Sequence, residues 1–301
     1  MKRLFLTTEP DAKGFDRIIV KNFPDGDSYV RLPGGPLSAD GKGPLSRIGE
    51  KEGVKDAEVI IFSRCYPNQN SRLLELMLAI AACYENGAQL VRAFVPYLPY
   101  ARQDKRVLDG EAVSARTICH LLKSAGLEEL ITIDCHFLKR AGTFDYEGLK
   151  ITNLTAAPAL LELAKHGLRA PLVITPDQGA AYLTSGERES HSMKKARGSY
   201  VKGNSTAYRK VASLSADFNV KDRDVILIDD IIAGGSTMLK AVQLCKKGGA
   251  RSITCAATHG QFLNGADGKI KKAGCRKLIA TDSIPSNYSA VKTLELTRGS
   301  L

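Results

Sequence analysis

The sequence predicts an α/β fold made of two similar units, each a mainly parallel sheet flanked by helices. Short runs of branched apolar residues, such as Val225–Ile228, have the composition of buried parallel strands. Segments with helical apolar spacing alternate with these runs and end at glycine. The spacing A-G-x-x-x-L-I-x-x-D occurs twice, at residues 125–134 and 273–282. Two copies of one α/β unit explain this repeat most economically.

The composition is that of a globular protein long enough for two domains. The chain has 301 residues, of which 44% are hydrophobic and 25% are charged. No run approaches the roughly 18 apolar residues of a membrane span, and the first residues lead into a polar stretch rather than an apolar signal core. We therefore expect a cytoplasmic protein with no membrane partner. Seven cysteines without a C-x-x-C favour buried thiols over a disulfide framework or a zinc ribbon.

The formal net charge of +11 indicates acidic partners, either nucleic acid or phosphorylated small molecules. Aromatic residues make up only 6% of the chain and tryptophan is missing, so stacking platforms for bases are poorly supported. The basic residues are scattered apart from the cluster Lys194–Arg197. Small anions fit this pattern better, and no nucleic-acid partner is expected.

The first half of the chain opens with a hairpin signal. Pro-Asp-Gly at 24–26 separates two strand-like runs, and the Gly/Pro/Ser/Lys-rich stretch 33–53 reads as an exposed insertion or loop. Glu58–Phe62 predicts a strand, and a helix follows from residues 67–70. The strand Leu90–Val95 leads into a further loop.

That loop, Pro96–Arg106, carries cations and an amide that suit a triphosphate, although a solvated charged surface would show the same residues. Further on, the strand Ile131–Ile133 hands over to Asp134 and His136. By position alone, a ligand contact and a structural role are equally expected for His136.

In the second half, the strand Leu172–Thr175 is followed by Asp177, which we expect to face the same cleft as Asp229 and Asp230. The polar and basic stretch 184–207 is too irregular for a core element. It is interpreted either as a mobile lid carrying cations or as a disordered surface loop.

The most informative stretch is Val225–Met238. A strand is expected to end at Asp229–Asp230, and Gly234–Gly235 then lead to a helix that opens with Ser236–Thr237. Backbone N–H groups bared by glycine at a helix start form a nest for a phosphate, and paired carboxylates suit vicinal hydroxyls or a hydrated metal ion. An ordinary strand-to-helix turn is the alternative. No G-x-x-x-x-G-K-[ST] motif is present, which disfavours a Walker-type ATPase.

Nine segments, taken together and in order, resemble the ribose-phosphate pyrophosphokinase (phosphoribosyl pyrophosphate synthetase) family. The glycine loop alone occurs across phosphoribosyltransferases, whereas Arg102-Gln103 and the Lys-x-Arg pair separate the synthetases from them. The segments are Phe23–Val30, Tyr66–Leu78, Tyr97–Arg106, Asp134–Phe144, Pro176–Ala181, Lys195–Arg197, Asp229–Thr237, Thr258–Phe262 and Thr281–Pro285.

The resemblance implies two tandem phosphoribosyltransferase-like domains. The first, 1–148, would carry the ATP side and the second, 149–286, the ribose 5-phosphate side. A tail, 287–301, would follow, with the first domain as its candidate packing partner. The implied enzyme belongs to nucleotide biosynthesis and transfers the pyrophosphoryl group of Mg-ATP to the anomeric hydroxyl of ribose 5-phosphate, giving phosphoribosyl pyrophosphate and AMP.

The resemblance also implies roles for individual residues. Lys195 and Arg197 would be the catalytic pair that closes over the transferring group, and Mg²⁺ would be held with the help of His136 and Asp177. Residues of the ATP site would be Phe23, Asp25, Asp27, Arg102, Gln103, Asp104 and His136. Residues of the ribose 5-phosphate site would be Asp177, Asp229, Asp230, Ala233, Gly234, Gly235, Ser236 and Thr237.

Phe23 would stack on the adenine of a neighbouring subunit, which implies a homo-oligomer, a dimer or larger. Two other functions remain open. A catalytically silent, synthetase-associated regulatory subunit would bind the same ligands, but such proteins typically lose lid or loop residues that are present here. A phosphoribosyltransferase would consume the product with a nucleobase, and the duplicated architecture speaks against it.

Overall fold

The computed structural model describes residues 2–9, 11–22, 28–32, 53–200, 209–215 and 218–297. Its contacts divide the chain into two compact units. The first contains Met1–Phe137 and Ala141–Leu154, and the second contains Leu138–Arg140 and Thr155–Arg298. The α/β class predicted from the sequence is confirmed. The domain boundaries given above stay predictions.

The first unit is built on a seven-stranded sheet in the order β2-β1-β5-β6-β7-β9-β8. Neighbouring strands are parallel, except that β8 runs antiparallel to β9. β3 and β4 form a separate antiparallel pair, as expected for the strands flanking the Pro-Asp-Gly turn. In the described residues the strands are β1 (Lys2–Thr7), β2 (Asp16–Arg17), β3 (Ile19–Asn22), β4 (Ser28–Arg31), β5 (Ala57–Phe62), β6 (Leu90–Phe94), β7 (Glu129–Ile133), β8 (Gly142–Tyr146) and β9 (Leu149–Leu154), and the helices are α1 (Gln69–Glu85) and α2 (Ser114–Ser124).

The second unit is built on a six-stranded parallel sheet in the order β11-β10-β14-β15-β16-β17. A separate antiparallel pair, β12 with β13, completes its strands in the described residues. The strands are β10 (Leu172–Thr175), β11 (Ser190–Ser192), β12 (Lys194–Tyr200), β13 (Arg209–Ser215), β14 (Asp224–Ile232), β15 (Ser252–Gly260), β16 (Lys277–Thr281) and β17 (Ser289–Val291), and the helices are α3 (Ala157–Lys165), α4 (Ser236–Lys247) and α5 (Ala266–Ala273).

The two sheets repeat one plan. In each, three consecutive strands lie side by side, β5-β6-β7 in the first and β14-β15-β16 in the second, and a helix follows the first two of them. The glycines predicted to end these helices all have positive φ, which allows the chain to turn back into the next strand. Their φ angles are +87° at Gly87, +100° at Gly126, +81° at Gly249 and +124° at Gly274. The duplication predicted from the sequence is thereby confirmed.

Two expectations about strand positions are wrong. The strand beginning near Val225 does not end at the acid pair, because β14 continues to Ile232. Its neighbour β15 is equally long, so that parallel pairing extends to Ile232 opposite Gly260. Within the stretch 184–207, the described residues 184–200 are also more regular than expected. They contain β11, which pairs with β10, and β12, which pairs with β13, so backbone pairing orders a polar sequence that has no apolar periodicity.

The expectation of buried thiols is confirmed, since all seven cysteines are free and buried. No helix in the described ranges is long and apolar enough to cross a membrane. The predicted insertion at 33–53 lies outside the described residues apart from Gly53.

Candidate active site

Two adjacent aspartates lie near the end of β14. Asp230 is 5% exposed and Asp229 is half-buried, and the backbone N–H of Asp230 donates to the Asp229 carboxylate at 3.0 Å. Burial, together with the carboxylates of Asp230 and Asp177, raises the pKa of Asp229 well above its usual range. These three acids therefore repel one another, and a ligand that donates hydrogen bonds or carries positive charge would relieve the repulsion.

Asp177 reaches this cluster from the neighbouring strand. It follows β10, whose Ile174 pairs with Leu227 of β14. The Asp177 carboxylate accepts the backbone N–H of Gly179 at 2.8 Å, which fixes it at the start of the 3-10 turn Gln178–Thr184. Parallel neighbours end at the same edge of a sheet. The structure thus brings Asp177 together with Asp229 and Asp230.

The glycine loop, Ala233–Gly235, joins β14 to α4, which begins at Ser236 as expected. Gly235 has a φ of 71°, and a Cβ placed there would lie 2.7 Å from the Cβ of Ala266. Conformation and packing both require glycine at this position. A Cβ at Gly234 would meet nothing within 4 Å, so this side of the loop is open. The first N–H groups of α4 have no acceptor within the helix, and next to open space they suit an anion.

The charge of the acid cluster fits a hydrated divalent cation. Mg²⁺ usually keeps several waters and is bound by one or two carboxylates together with substrate phosphates. The described residues hold no group of three or more His, Cys, Asp or Glu side chains arranged to enclose a metal ion. Asp177, Asp229 and Asp230 therefore fit an ion shared with a substrate better than a closed protein site.

In the first unit, the loop after β6 carries Arg102, Gln103 and Asp104. Arg102 is exposed, and the other two are half-buried. The backbone of Gln103 ties this loop to α2, since its N–H donates to the carbonyl of Tyr100 within the loop at 3.1 Å and its carbonyl accepts the N–H of Ala115 of α2 at 3.1 Å. This backbone anchorage leaves the Arg102 side chain in solvent, where it could meet an anion.

His136 follows β7, the parallel neighbour of β6, and is half-buried. The turn before it is fixed by the backbone. Asp134 has a φ of 41°, and its N–H donates to the carbonyl of Leu154 at 2.9 Å. The N–H of Cys135 donates to the side-chain oxygen of Asn153 at 2.9 Å. Asn153 was not singled out from the sequence, because its contact depends on the pairing of β7 with β9, which no local motif reveals.

Lys195 and Arg197 lie on β12, where their backbones pair with Leu214 and Val211 of β13. The register shifts by one residue between Ala196 and Arg197, so the ribbon is irregular between the two predicted catalytic positions. The three other predicted ATP-site residues, Phe23, Asp25 and Asp27, lie outside the described residues.

Comparison with known proteins identifies the family. A model of the N-terminal domain of ribose phosphate pyrophosphokinase matches residues 46–126, and a phosphoribosyl transferase domain model matches residues 177–294. A ribose-phosphate pyrophosphokinase of Methanobrevibacter smithii is 34% identical over 287 residues, which cover 90% of this chain and 87% of the relative. The chain belongs to the ribose-phosphate pyrophosphokinase family. The resemblance inferred from its motifs is thus confirmed.

A further ribose-phosphate pyrophosphokinase, from Vibrio parahaemolyticus, is 31% identical over 280 residues, or 91% of this chain and 86% of the relative. The crystal structure of phosphoribosylpyrophosphate synthetase from Mycobacterium smegmatis superposes with a TM-score of 0.71, at 22% sequence identity over 97% of this chain and 94% of that chain. This likeness shows that the fold is that of the family's two phosphoribosyltransferase-like domains.

Proposed function

We propose that this chain transfers the pyrophosphoryl group of Mg-ATP to the anomeric hydroxyl of ribose 5-phosphate, giving phosphoribosyl pyrophosphate and AMP. The observation that carries the proposal is the convergence of three acids and the open glycine loop at one edge of the second sheet. A phosphate nest beside carboxylates is complementary to a sugar phosphate, and similarity to the pyrophosphokinases along most of the chain supplies the reaction.

Ribose 5-phosphate, which accepts the pyrophosphoryl group, is held at both ends. Its 5-phosphate is bound by backbone N–H groups of the loop Ala233–Gly235 and of Ser236 and Thr237, whose hydroxyls are further donors. Its ribose hydroxyls donate to the carboxylates of Asp229 and Asp230. These hydrogen bonds relieve the repulsion that raises the pKa of Asp229, so the sugar is bound with its anomeric carbon oriented.

ATP, which donates the pyrophosphoryl group, is held by the first unit. ATP is bound by Arg102, Gln103 and Asp104, and His136 contacts its phosphates or the metal. Phe23 of a neighbouring subunit stacks on the adenine, so the active form is a homo-oligomer, a dimer or larger, and Asp25 and Asp27 complete the nucleotide site. The cytoplasmic location expected from the sequence stays a prediction.

Mg²⁺, when bound, neutralises charge on the phosphate oxygens, and Asp177 and His136 would help to hold it. In the transfer, the anomeric oxygen forms a bond to the β phosphorus, the bond from that phosphorus to the α–β bridging oxygen breaks, and AMP leaves with that oxygen. The hydroxyl proton is released. Lys195 and Arg197 close over the transferring group, offset its negative charge and exclude water.

Product analysis tests this function. Incubation with ribose 5-phosphate, ATP and Mg²⁺ is expected to yield AMP and phosphoribosyl pyrophosphate in equal amounts. ADP as the nucleotide product would indicate an ordinary kinase. Binding of both substrates without turnover would indicate a regulatory subunit, and base-dependent release of pyrophosphate without ATP would indicate a phosphoribosyltransferase.

A further inference from the structure

The turn that follows β15 runs alongside the glycine loop and is hydrogen-bonded to it. The backbone N–H groups of Gln261 and Phe262 both donate to the carbonyl of Ile232 at 3.0 Å, and the N–H of Leu263 donates to the carbonyl of Ala233 at 3.0 Å. Both acceptors belong to the chain that leads from β14 into the proposed phosphate nest. This turn is part of the Thr258–Phe262 motif, to which no role has been given so far.

These bonds fix the direction of the donors in the nest. In a planar trans peptide the C=O and the following N–H point in opposite directions. Because the carbonyls of Ile232 and Ala233 point to the turn after β15, the N–H groups of Ala233 and Gly234 point to the other flank of β14. That flank is the side of β10, which leads to Asp177. The turn therefore directs two amides towards the side on which the acids cluster.

An aromatic contact holds the turn in its conformation. Phe262 has a φ of 48°, which a bulky side chain rarely adopts. Its ring lies so close to Gly260 that a Cβ there would be 2.4 Å from the Phe262 Cε2 atom. The ring also packs edge-on against Tyr288, with 5.1 Å between centroids. A left-handed residue is thus maintained by packing rather than by local preference.

Tyr288 is fixed in turn by two residues of α5. Its hydroxyl donates to the Asp267 carboxylate at 2.8 Å, and the Lys271 ammonium lies 4.6 Å from the centre of its ring. The same helix abuts the glycine loop directly, since Ala266 occupies the space that a side chain at Gly235 would need. Asp267, Tyr288 and Phe262 thus form a continuous support behind the nest.

We propose that Phe262 and Tyr288 are positioning residues that align the phosphate-binding amides of the glycine loop. They act through the backbone of residues 261–263 and have no contact with the substrate themselves. This role rests on the proposed function, because it assigns the loop to the 5-phosphate of the acceptor. It predicts a defect in binding the sugar phosphate that is not matched by a defect in binding ATP.

The variant Tyr288→Phe tests the proposal, because it removes only the hydroxyl that bonds to Asp267 and keeps the ring. Phe262→Leu is the stronger change. Both are expected to raise KM for ribose 5-phosphate about 10-fold through misalignment of the donors, with KM for ATP and kcat at saturating sugar phosphate within about twofold. Tyr84→Phe is the control in the first unit, since it removes a hydroxyl that donates to the Gly126 carbonyl at 2.8 Å and accepts the backbone N–H of Val91 at 3.2 Å.

A purely structural role would lower the melting temperature of both tyrosine variants without separating the two KM values. Unchanged KM for ribose 5-phosphate in Phe262→Leu, or an equal rise in both KM values, would overturn the proposal. Calorimetric titration with ribose 5-phosphate in the absence of ATP gives a readout independent of turnover. If the variants bind ribose 5-phosphate more weakly than the wild type but no AMP is formed by the wild type, the proposed function alone is overturned. If the wild type does not bind ribose 5-phosphate, the proposed function and the positioning role are both overturned.

Discussion

Asp56 and Asp222 occupy the same position in the two units and adopt the same conformation. Each has a φ of 58°, and the backbone N–H of each donates to the carbonyl of a helix-ending glycine at 2.9 Å, Gly87 for Asp56 and Gly249 for Asp222. Each stands just before the first strand of the repeated three-strand core. The two sequences around them, Val-Lys-Asp at 54–56 and 220–222, are also identical. The duplication therefore extends to single backbone hydrogen bonds.

The shared conformation predicts parallel effects of substitution. Alanine at either position would adopt left-handed backbone at a cost of about 1 kcal/mol, whereas glycine would adopt it freely. At both positions we expect the alanine variant to unfold at a lower denaturant concentration than the wild type. The glycine variant is expected to unfold at the same concentration as the wild type or a higher one. Opposite orders at 56 and 222 would show that the two turns are not equivalent.

The carboxylate of Asp229 is predicted to destabilise the protein when no ligand is bound. The pKa of Asp229 is raised by burial and by its acidic neighbours. The folded state then binds a proton more tightly than the unfolded chain, so stability falls as the pH rises from about 4 through the folded-state pKa. We expect Asp229→Asn to be more stable than the wild type at pH 8, by on the order of 1 kcal/mol, and equally stable at pH 4.

The control for this measurement is Asp145→Asn, an exposed carboxylate that also accepts a backbone N–H, from Gly148 at 3.1 Å. This substitution is expected to change the free energy of unfolding little at either pH. The Asp229 variant should also bind ribose 5-phosphate more weakly, because an amide is a poorer partner for the sugar hydroxyls than a carboxylate. A variant less stable than the wild type at pH 8 would contradict the assignment of repulsion to this cluster.

Gly235 is predicted to be the least replaceable glycine of the loop. Gly235→Ala would place a methyl group 2.7 Å from the Ala266 Cβ and 3.3 Å from the Ile270 Cδ1, at a φ of 71°. We expect a loss of stability of about 1–3 kcal/mol and a raised KM for ribose 5-phosphate. Gly268→Ala within α5 meets nothing within 4 Å and is the control. It is expected to be neutral or slightly stabilising, and identical behaviour of the two variants would contradict the packing explanation.

Lys195 and Arg197 are predicted to act on the rate and not on the fold. Replacing either by alanine is expected to lower kcat by roughly 10³- to 10⁵-fold, by analogy with cations that stabilise phosphoryl transfer, with little change in melting temperature. Lys194→Ala, the adjacent residue of β12, is the charge-matched control and should retain activity. A loss of activity equal in all three variants would point to a general effect of charge.

The sequence indicated most of the fold because its signals were local. Glycines after helices, such as Gly126 and Gly274, mark turns that the structure places at positive φ. The sequence Gly-Gly-Ser-Thr likewise predicted that α4 begins at Ser236. The extension of β14 to Ile232 was not readable, since it depends on the length of the neighbouring β15 rather than on the residues of β14 itself.

The supports of the site were hidden for the same reason. Asn153 holds the backbone before His136 across 18 residues of sequence, and Phe262, in the turn after β15, donates its backbone N–H to the carbonyl of Ile232. Neither contact has a local pattern, because each is created by strand pairing. Asp229, Asp230 and the glycine loop were found because they follow one another closely in the sequence. The residues that orient them are distant in the sequence and come close only in the folded structure.

The most direct test follows two labels in a single reaction. ATP labelled on the α phosphorus with one isotope and on the γ phosphorus with another is incubated with ribose 5-phosphate and Mg²⁺, and the products are separated. Pyrophosphoryl transfer predicts that the γ label appears in phosphoribosyl pyrophosphate and the α label in AMP, in equal amounts. Recovery of the α label in ADP, with the γ label alone on the sugar, would contradict it.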